Sequence, residues 1–417
     1  MSALIVLRSI NRIIGILFLL CYSYQLLYVP VALLHKKRAK AAASIRRYAV
    51  LISARNEEAV IGHLLDSIRR QDYPADSLAA FVVADNCTDG TARVAREAGA
   101  VVYERTDRVH VGKGYALNYL LAQIRDAWGD DYFDGYFVFD ADNLLAPDYV
   151  SRMNETFSQD CQIVTSYRNS KNFGDNWISA GYGLWFLRDA AFLNAPRTQL
   201  GLSAVVSGTG YLFSREVMLQ GNGWPFHSLS EDTEFTVNSI LQGHRIGYCG
   251  EAELFDEQPT SLVQSCRQRM RWVRGNLMVF LKEGGRLTAG LLGKNALSCM
   301  DLLLSIPPAI VLAVLGVVFG AALTVVEILS GGPVLPMLMA TLASFAVPYL
   351  LLFLAGALTT LTQWRHIRAS AWKKILYTIT FPIYMTTYVP ITIMALLGKV
   401  EWKPIEHRAV MSIQELK

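Results

Sequence analysis

Four long apolar stretches constrain this chain most: Ile13–Leu34 near the start, then Leu302–Leu329, Val334–Leu361 and Ile375–Leu397 toward the end. A membrane-spanning helix needs about 20 consecutive apolar residues, and each stretch is long enough. Ile13–Leu34 carries no charge and runs into the basic segment HKKRAK. A cleaved leader would have a shorter apolar core and a small-residue cleavage site, so an uncleaved span is expected. The composition agrees, with 52% hydrophobic and only 18% charged residues, against about 25% charged in soluble domains. The expected organisation is an N-terminal membrane helix (1–38), a polar domain (39–298), three membrane helices (299–400) and a short tail (401–417).

Basic residues cluster in two loops. Lys36, Lys37, Arg38, Lys40, Arg46 and Arg47 follow the first stretch, and Arg365, Arg368, Lys373 and Lys374 precede the last. Basic loops stay on the cytoplasmic side. Four spans therefore place the polar domain in the cytoplasm, at the plasma membrane, with both termini outside; Arg8 and Arg12 pull against an external N-terminus. The segment WRHIRASAWKKIL (364–376) reads as a basic, amphipathic interfacial piece. Kinks are expected at Pro307, Pro308 and Pro390. A net charge of +4 is too small to imply nucleic acid; membrane lipids are the expected surroundings. The six cysteines are widely spaced and read as free thiols in a reducing compartment. His63, His110, His227 and His244 have no metal-like partners in the sequence and read as structural or surface residues.

The polar domain alternates short apolar runs with helical patterns. YAVLIS, AAFVVAD, AVVYE and GYFVFDAD read as strands. NEEAVIGHLLDSIRR, TARVAREAG and KGYALNYLLAQI read as helices, the first with its acids in the opening turn. Such alternation predicts an α/β domain with a parallel or mixed sheet, whose ligands bind beyond the C-terminal strand ends. Arg55, Asn56 and Glu57, then Asp85 and Asn86, then Asp140 and Asp142 fall at those ends. The apolar pattern of YGLWFLRDAAFLNAPR (182–197) suggests a helix packed on the fold or the membrane surface.

Paired carboxylates closing a strand, as in FVFDADN, offer hard oxygens for Mg2+ or Mn2+ shared with a phosphate; an exposed acidic turn is the plainer alternative. Asp85 can accept hydrogen bonds from a base or ribose, and Asp89 reads first as a helix cap. Lys113, between two glycines at a helix start, suits a phosphate, though a lone GKG is weak. In SLSEDTEF, Glu231, Asp232 and Glu234 are either N-terminal caps or a general base whose pKa crowding raises.

Taken in order, ISARNEE, VVADNCTDGT, KGYALN, DAD, SGTGYLF, SED and QRMRW resemble the motifs of glycosyltransferase family 2, in particular the processive membrane synthases of chitin or chitooligosaccharide, poly-N-acetylglucosamine, hyaluronan and cellulose. The resemblance covers about Ile52–Trp272. It implies a GT-A-like nucleotide-sugar domain set between membrane helices. Asn56, Glu57, Asp85, Lys113, Asp140, Asp142, Gln268, Arg271 and Trp272 would contact the donor. Asp140 and Asp142 would bind Mg2+ or Mn2+, and Asp232 would be the catalytic base, although Ser230 stands where threonine is usual. Ser207, Gly208, Thr209, Gly210, Glu231 and Trp272 would lie near the acceptor. The implied reaction is inverting transfer from a UDP-sugar, UDP-GlcNAc or UDP-Glc, to a growing β-linked polysaccharide coupled to its translocation. Single-step glycosylation of a lipid acceptor, as in ceramide glucosyltransferases, is the alternative.

The arginine strip SCRQRMRWVRGN divides by helical spacing. Gln268 and Trp272 share a face with Arg271 beside them, which would point to substrate. Arg267, Arg269 and Arg274 would lie toward lipid headgroups.

Overall fold

The computed structural model describes residues 3–34, 43–159, 161–332, 334–344, 346–398 and 411–415. The basic cluster at 36–40 and most of the tail expected at 401–417 lie outside the described residues.

Eight strands form one mixed sheet: β1 (Tyr48–Ala54), β2 (Leu78–Asp85), β3 (Val101–Arg105), β4 (Gly135–Asp140), β5 (Leu144–Leu145), β6 (Ile163–Ser170), β7 (Tyr211–Ser214) and β8 (Ile246–Asp256). Their order is β3-β2-β1-β4-β7-β6-β8-β5. β3, β2, β1 and β4 run parallel, while β7 is antiparallel to both β4 and β6. β1 is covered on both faces. Ala49 and Leu51 join one core with Phe81, Leu117 and Phe235, and Tyr48, Val50 and Ile52 join another with Ile61, Leu64 and Phe139. That double burial is why the strand is a continuous apolar run and not an alternating one.

The helix read from NEEAVIGHLLDSIRR starts later than its pattern suggests, at Ile61, and has no acid in its first turn. Glu57 and Glu58 sit in the preceding loop, where the Thr91 hydroxyl and the Gly90 and Glu58 amides knit it to the 86–91 loop. Local contacts between two strand-end loops outweigh a marginal gain from the helix dipole.

Among the described residues, three apolar helical stretches are long enough to cross a membrane: Leu4–Leu34, Ala296–Leu329 and Ala371–Leu397. The stretch expected at Val334–Leu361 is described as two helices, Val334–Ser344 and Ala346–Thr362. Helices break at Ile306, just before Pro307-Pro308, and at Thr387, three residues before Pro390. The 364–376 segment is basic, as read from its sequence. It is a turn followed by the start of the helix Ala371–Thr386, and it packs on the α/β domain. Arg368 lies 4.4 Å over the Phe255 ring, and Lys373 donates to the Gly174 carbonyl at 2.6 Å. The helix Trp177–Asp189 binds the sheet domain to the last apolar helix through Tyr182, Phe186, Phe381 and Tyr384. A Cβ at Gly181 would sit 2.3 Å from the Tyr384 ring, so this contact needs glycine.

Candidate active site

The C-terminal ends of β1, β2 and β4 open onto a cavity of about 1880 Å³ that continues between the apolar helices. Ser53, Arg55 and Glu57 line it after β1, Asp85 after β2, and Asp140 and Asp142 after β4. Asn56 is absent from this wall. It adopts a left-handed backbone (φ 58°), which asparagine tolerates better than most residues, and its Oδ1 accepts from the Thr88 amide at 2.7 Å. Its side chain shapes the loop beside the cavity.

The parallel register of β2 and β3 sets Asp85 beside Arg105. The Arg105 guanidinium donates to Asp85 Oδ1 at 2.6 Å, with both side chains under 10% exposed. Arg105 also donates to Asp107 and to the His110 carbonyl. Arg105 escaped the sequence reading; a cation ending the strand next to an acid-ended strand was the available signal.

At β4, the Lys113 ammonium donates to Asp140 Oδ1 and to the Gly208 carbonyl at 2.7 Å. One cation thus ties the helix Lys113–Trp128, the strand end and the 207–210 loop together. Asp142 Oδ2 accepts from the Glu257 amide at 2.8 Å. Ser207 and Gly208 line the cavity, whereas Thr209 and Gly210 do not. Thr209 Oγ1 accepts from the Asp140 amide and donates to Asn143, and the Gly210 amide bonds Val138 in β4. Of the six residues expected near the acceptor, Ser207, Gly208, Glu231 and Trp272 line the cavity, while Thr209 and Gly210 fasten the loop to the sheet. Arg168 and Asp256, both missed in the sequence, form an ion pair on the same wall. Burial pushes the Asp256 carboxyl up to about 6 against the opposing pull of Arg168. Arg168 also lies 3.8 Å over Phe186 and donates to the Ser207 carbonyl.

Across the cavity, Glu231 and Asp232 open the helix Glu231–Leu241. Burial raises both carboxyls. Glu231 reaches about 7, with Asp232 adding to the effect. Asp232 is raised less freely, because the Thr233 amide, Lys113, Arg271 and Arg168 favour its charged form. The long helix Leu262–Gly290 closes the site with Gln268, Arg271 and Trp272 on the wall. A Cβ at Gly275 would stand 2.3 Å from Ser230 Oγ, so glycine lets this helix approach the Glu231–Asp232 turn. Trp272 meets Tyr182 and Phe186 edge-on, at 5.7 and 6.3 Å between ring centres. Gln268 Oε1 is buried and accepts no hydrogen bond among the described residues.

Arg269 departs from the expected lipid-facing position. It is fully buried, lies 4.5 and 4.9 Å over Tyr384 and Tyr388, and donates to Thr387 Oγ1 at 2.7 Å. The electron-rich ring faces replace headgroups as its partners. The 182–197 segment packs on the fold, as expected, and Trp185, Phe186, Arg188, Asp189 and Asn194 also line the cavity.

Among the described residues no group of three or more His, Cys, Asp or Glu side chains is arranged to hold a metal alone. Two oxygen-only side chains on one wall, Asp140 and Asp142, fit a hard divalent ion that completes its shell with substrate phosphate and water.

The family model for glycosyltransferase-like family 2 matches residues 46–275. A beta-monoglucosyldiacylglycerol synthase of Synechocystis is 27% identical over 238 residues, 56% of this chain and 48% of that protein. A probable glycosyltransferase of Bacillus subtilis, YdaM, is 27% identical over 258 residues, 57% of this chain and 56% of its own length. The match thus spans about half the length of these curated relatives. Among solved structures, a Pyrobaculum calidifontis mannosyltransferase in complex with GDP-Man and Mn2+ superposes with a TM-score of 0.60 at 18% identity, covering 94% of this chain and 99% of that one. That likeness shows the fold, a GT-A-like mixed sheet with attached apolar helices. With more than half its length matched by the family model, this chain belongs to glycosyltransferase-like family 2.

Proposed function

We propose that the protein transfers a sugar from a nucleotide-sugar donor, UDP-Glc or UDP-GlcNAc, to a hydroxyl of a membrane-lipid acceptor, inverting the anomeric centre. The observation carrying the acceptor class is the course of the cavity. It begins among the strand-end carboxylates and continues between the apolar helices, where Leu7, Ile14, Leu312, Gly316 and Leu352 line it. An aliphatic lining suits acyl or prenyl chains, whose transfer from water is favourable by about 25 cal/mol per Å². A hydrated glycan would lose water there without hydrogen-bond replacement. The diacylglycerol named in the cyanobacterial relative supports the same class.

In this reading Glu57 and Asp85 meet the nucleoside part of the donor, and Arg105 orients Asp85 through their ion pair. Asp140 and Asp142 would hold a divalent ion, Mg2+ or Mn2+, against the diphosphate. When bound, such an ion supplies neutralisation of charge on the leaving group. Lys113 and Arg271 bring fixed positive charge to the same region, which stabilises a transition state in which diphosphate charge grows. Asp232 accepts the proton of the acceptor hydroxyl as its oxygen bonds to the anomeric carbon and the diphosphate departs from the opposite face. One displacement turns an α-linked donor into a β-linked product. Glu231, with its raised pKa, retains a proton near neutrality and can donate a hydrogen bond beside Asp232. Trp272 offers its ring to a sugar's C–H face, and Gln268 Oε1 has acceptor capacity for a sugar hydroxyl.

A processive reading keeps one specific support, the QRMRW segment with Trp272 set against Tyr182 and Phe186. Purified protein given radiolabelled UDP-sugar and defined lipids separates the two. A chloroform-soluble lipid carrying one sugar supports the first; a polymer digestible by a β-glycanase sinks it.

A further inference from the structure

The polar groups partway along the cavity, between the carboxylates and the aliphatic end, have no role in the chemistry above. Arg188 and Asp189 follow Phe186 by two and three residues, on the wall below the ring that Arg168 covers. From the other side, Gln25, within the N-terminal apolar stretch Leu4–Leu34, accepts from Arg188 Nη2 at 3.0 Å. The helix then widens into a π-turn, Ala190–Asn194. Such turns are rare and occur frequently at functional sites.

Charge pairing identifies what is left over. Arg197 is held by Asp301 at 2.8 Å, and Asp301 also accepts from Tyr24 and Tyr28, so that cluster is self-contained. Arg168 is matched by Asp256. Arg188 and Asp189 approach only to 3.5 Å, too far for a good hydrogen bond, and Asp189 Oδ1 accepts none among the described residues. The wall at this level therefore presents one cation and one anion, near each other and incompletely bonded.

We propose that Gln25, Arg188 and Asp189 form the subsite for the acceptor's headgroup, and that it takes an uncharged, hydroxyl-bearing headgroup in preference to a lipid phosphate. The proposal rests on the lipid-acceptor reading above. An alcohol both donates and accepts, so one headgroup hydroxyl can donate to Asp189 and accept from Arg188 while a second hydroxyl is the one glycosylated. A phosphate could accept from Arg188, but it would bring negative charge against Asp189, while the neighbouring Arg197 and Arg168 are already matched by Asp301 and Asp256, an arrangement that is costly away from water. The lipid's chains would then run down the aliphatic part of the cavity, with one hydroxyl left near Asp232.

The test uses the full chain in lipid nanodiscs with radiolabelled UDP-Glc and UDP-GlcNAc, and titrates two acceptors, a monoacylglycerol, which has two free hydroxyls, and a polyprenyl phosphate. The wild type is expected to use monoacylglycerol at least about tenfold better in kcat/KM, as a site built around hydroxyl hydrogen bonds does. Asp189→Asn and Gln25→Leu should each raise the monoacylglycerol KM by about tenfold. The donor KM and the slow hydrolysis of donor by water should stay unchanged, which also reports that each variant is folded. Preference for polyprenyl phosphate overturns the proposal, as does an unchanged acceptor KM in both variants while monoacylglycerol is still glycosylated. Polymer without any lipid product overturns the lipid-acceptor reading and this subsite with it.

Discussion

The two ends of the cavity are built on opposite principles. At the strand ends four carboxylates are braced by partners: Asp85 by Arg105, Asp140 by Lys113, Asp142 by the Glu257 amide, Asp256 by Arg168. Between the apolar helices the wall is mostly aliphatic, and Arg188 and Asp189 there are incompletely paired. The difference follows from the two tasks proposed. Displacement of a charged diphosphate needs dipoles fixed before the reaction, whereas accommodating flexible chains needs only apolar volume and one place to hold a headgroup. The same contrast separates two neighbouring arginines. Arg271 faces the cavity with a single long contact, 3.5 Å to the Leu229 carbonyl, and stays available to a ligand. Arg269, two residues earlier, is enclosed by tyrosines and fixes the helix to the last apolar segment.

Changes at the braced end should therefore cost rate, and changes elsewhere should cost acceptor affinity or stability. The largest loss is expected from Asp232→Asn, about 10³-fold in kcat with little change in donor binding, since a general base contributes about 10²–10⁴-fold. Retention of full kcat would remove Asp232 from the chemistry. Arg271→Ala should lower kcat about 10²-fold, the scale of removing one transition-state donor, and chelation of divalent ions should inactivate reversibly, with Mn2+ or Mg2+ restoring turnover. Arg269→Ala should behave differently. It leaves a hole among Tyr182, Tyr384 and Tyr388 and should cost about 2–4 kcal/mol of stability, read as earlier thermal inactivation, with donor KM preserved at low temperature. If Arg269→Ala instead lost rate without stability, the distinction between the two arginines would collapse. The smallest effect is expected at the exposed Arg267, where Ala should change stability by less than about 0.5 kcal/mol.

The pH profile sharpens the comparison further. Burial raises the Asp232 carboxyl above the ordinary range, and a base works only when ionised. Activity should therefore fall as pH drops through that raised value, at a higher pH than for an exposed aspartate. Glu231→Gln preserves the neutral form that burial already favours, so it should be milder than Asp232→Asn.

The braced end was largely legible in the sequence because strands buried on both faces leave long apolar runs, and the polar residue that ends each run is conspicuous. Asp85, Asp140 and Asp142 were found this way, and Gln268, Arg271 and Trp272 through the family resemblance, helical spacing then setting them on one face. Their partners were not. Arg168 and Asp256 pair across 88 positions of sequence, and sheet register alone brings Arg105 to Asp85. Asn56, Thr209 and Gly210 occupy motif positions yet serve the loops, because a motif records which residues occur together and not which way each one faces. Arg269 looked like its neighbours in a basic strip, and its aromatic enclosure is formed by a helix more than 100 residues away. The polar level at Gln25, Arg188 and Asp189 was hidden for the same reason: it joins two segments that are apolar by pattern.

The central claim is that one cavity joins a nucleotide-sugar site to a lipid acceptor. Its most direct test is the product made by the purified full chain from radiolabelled UDP-sugar in nanodiscs containing diacylglycerol. The account predicts a chloroform-soluble lipid bearing a single β-linked sugar, absent with Asp232→Asn. A water-soluble, β-glycanase-sensitive polymer with no labelled lipid would contradict it.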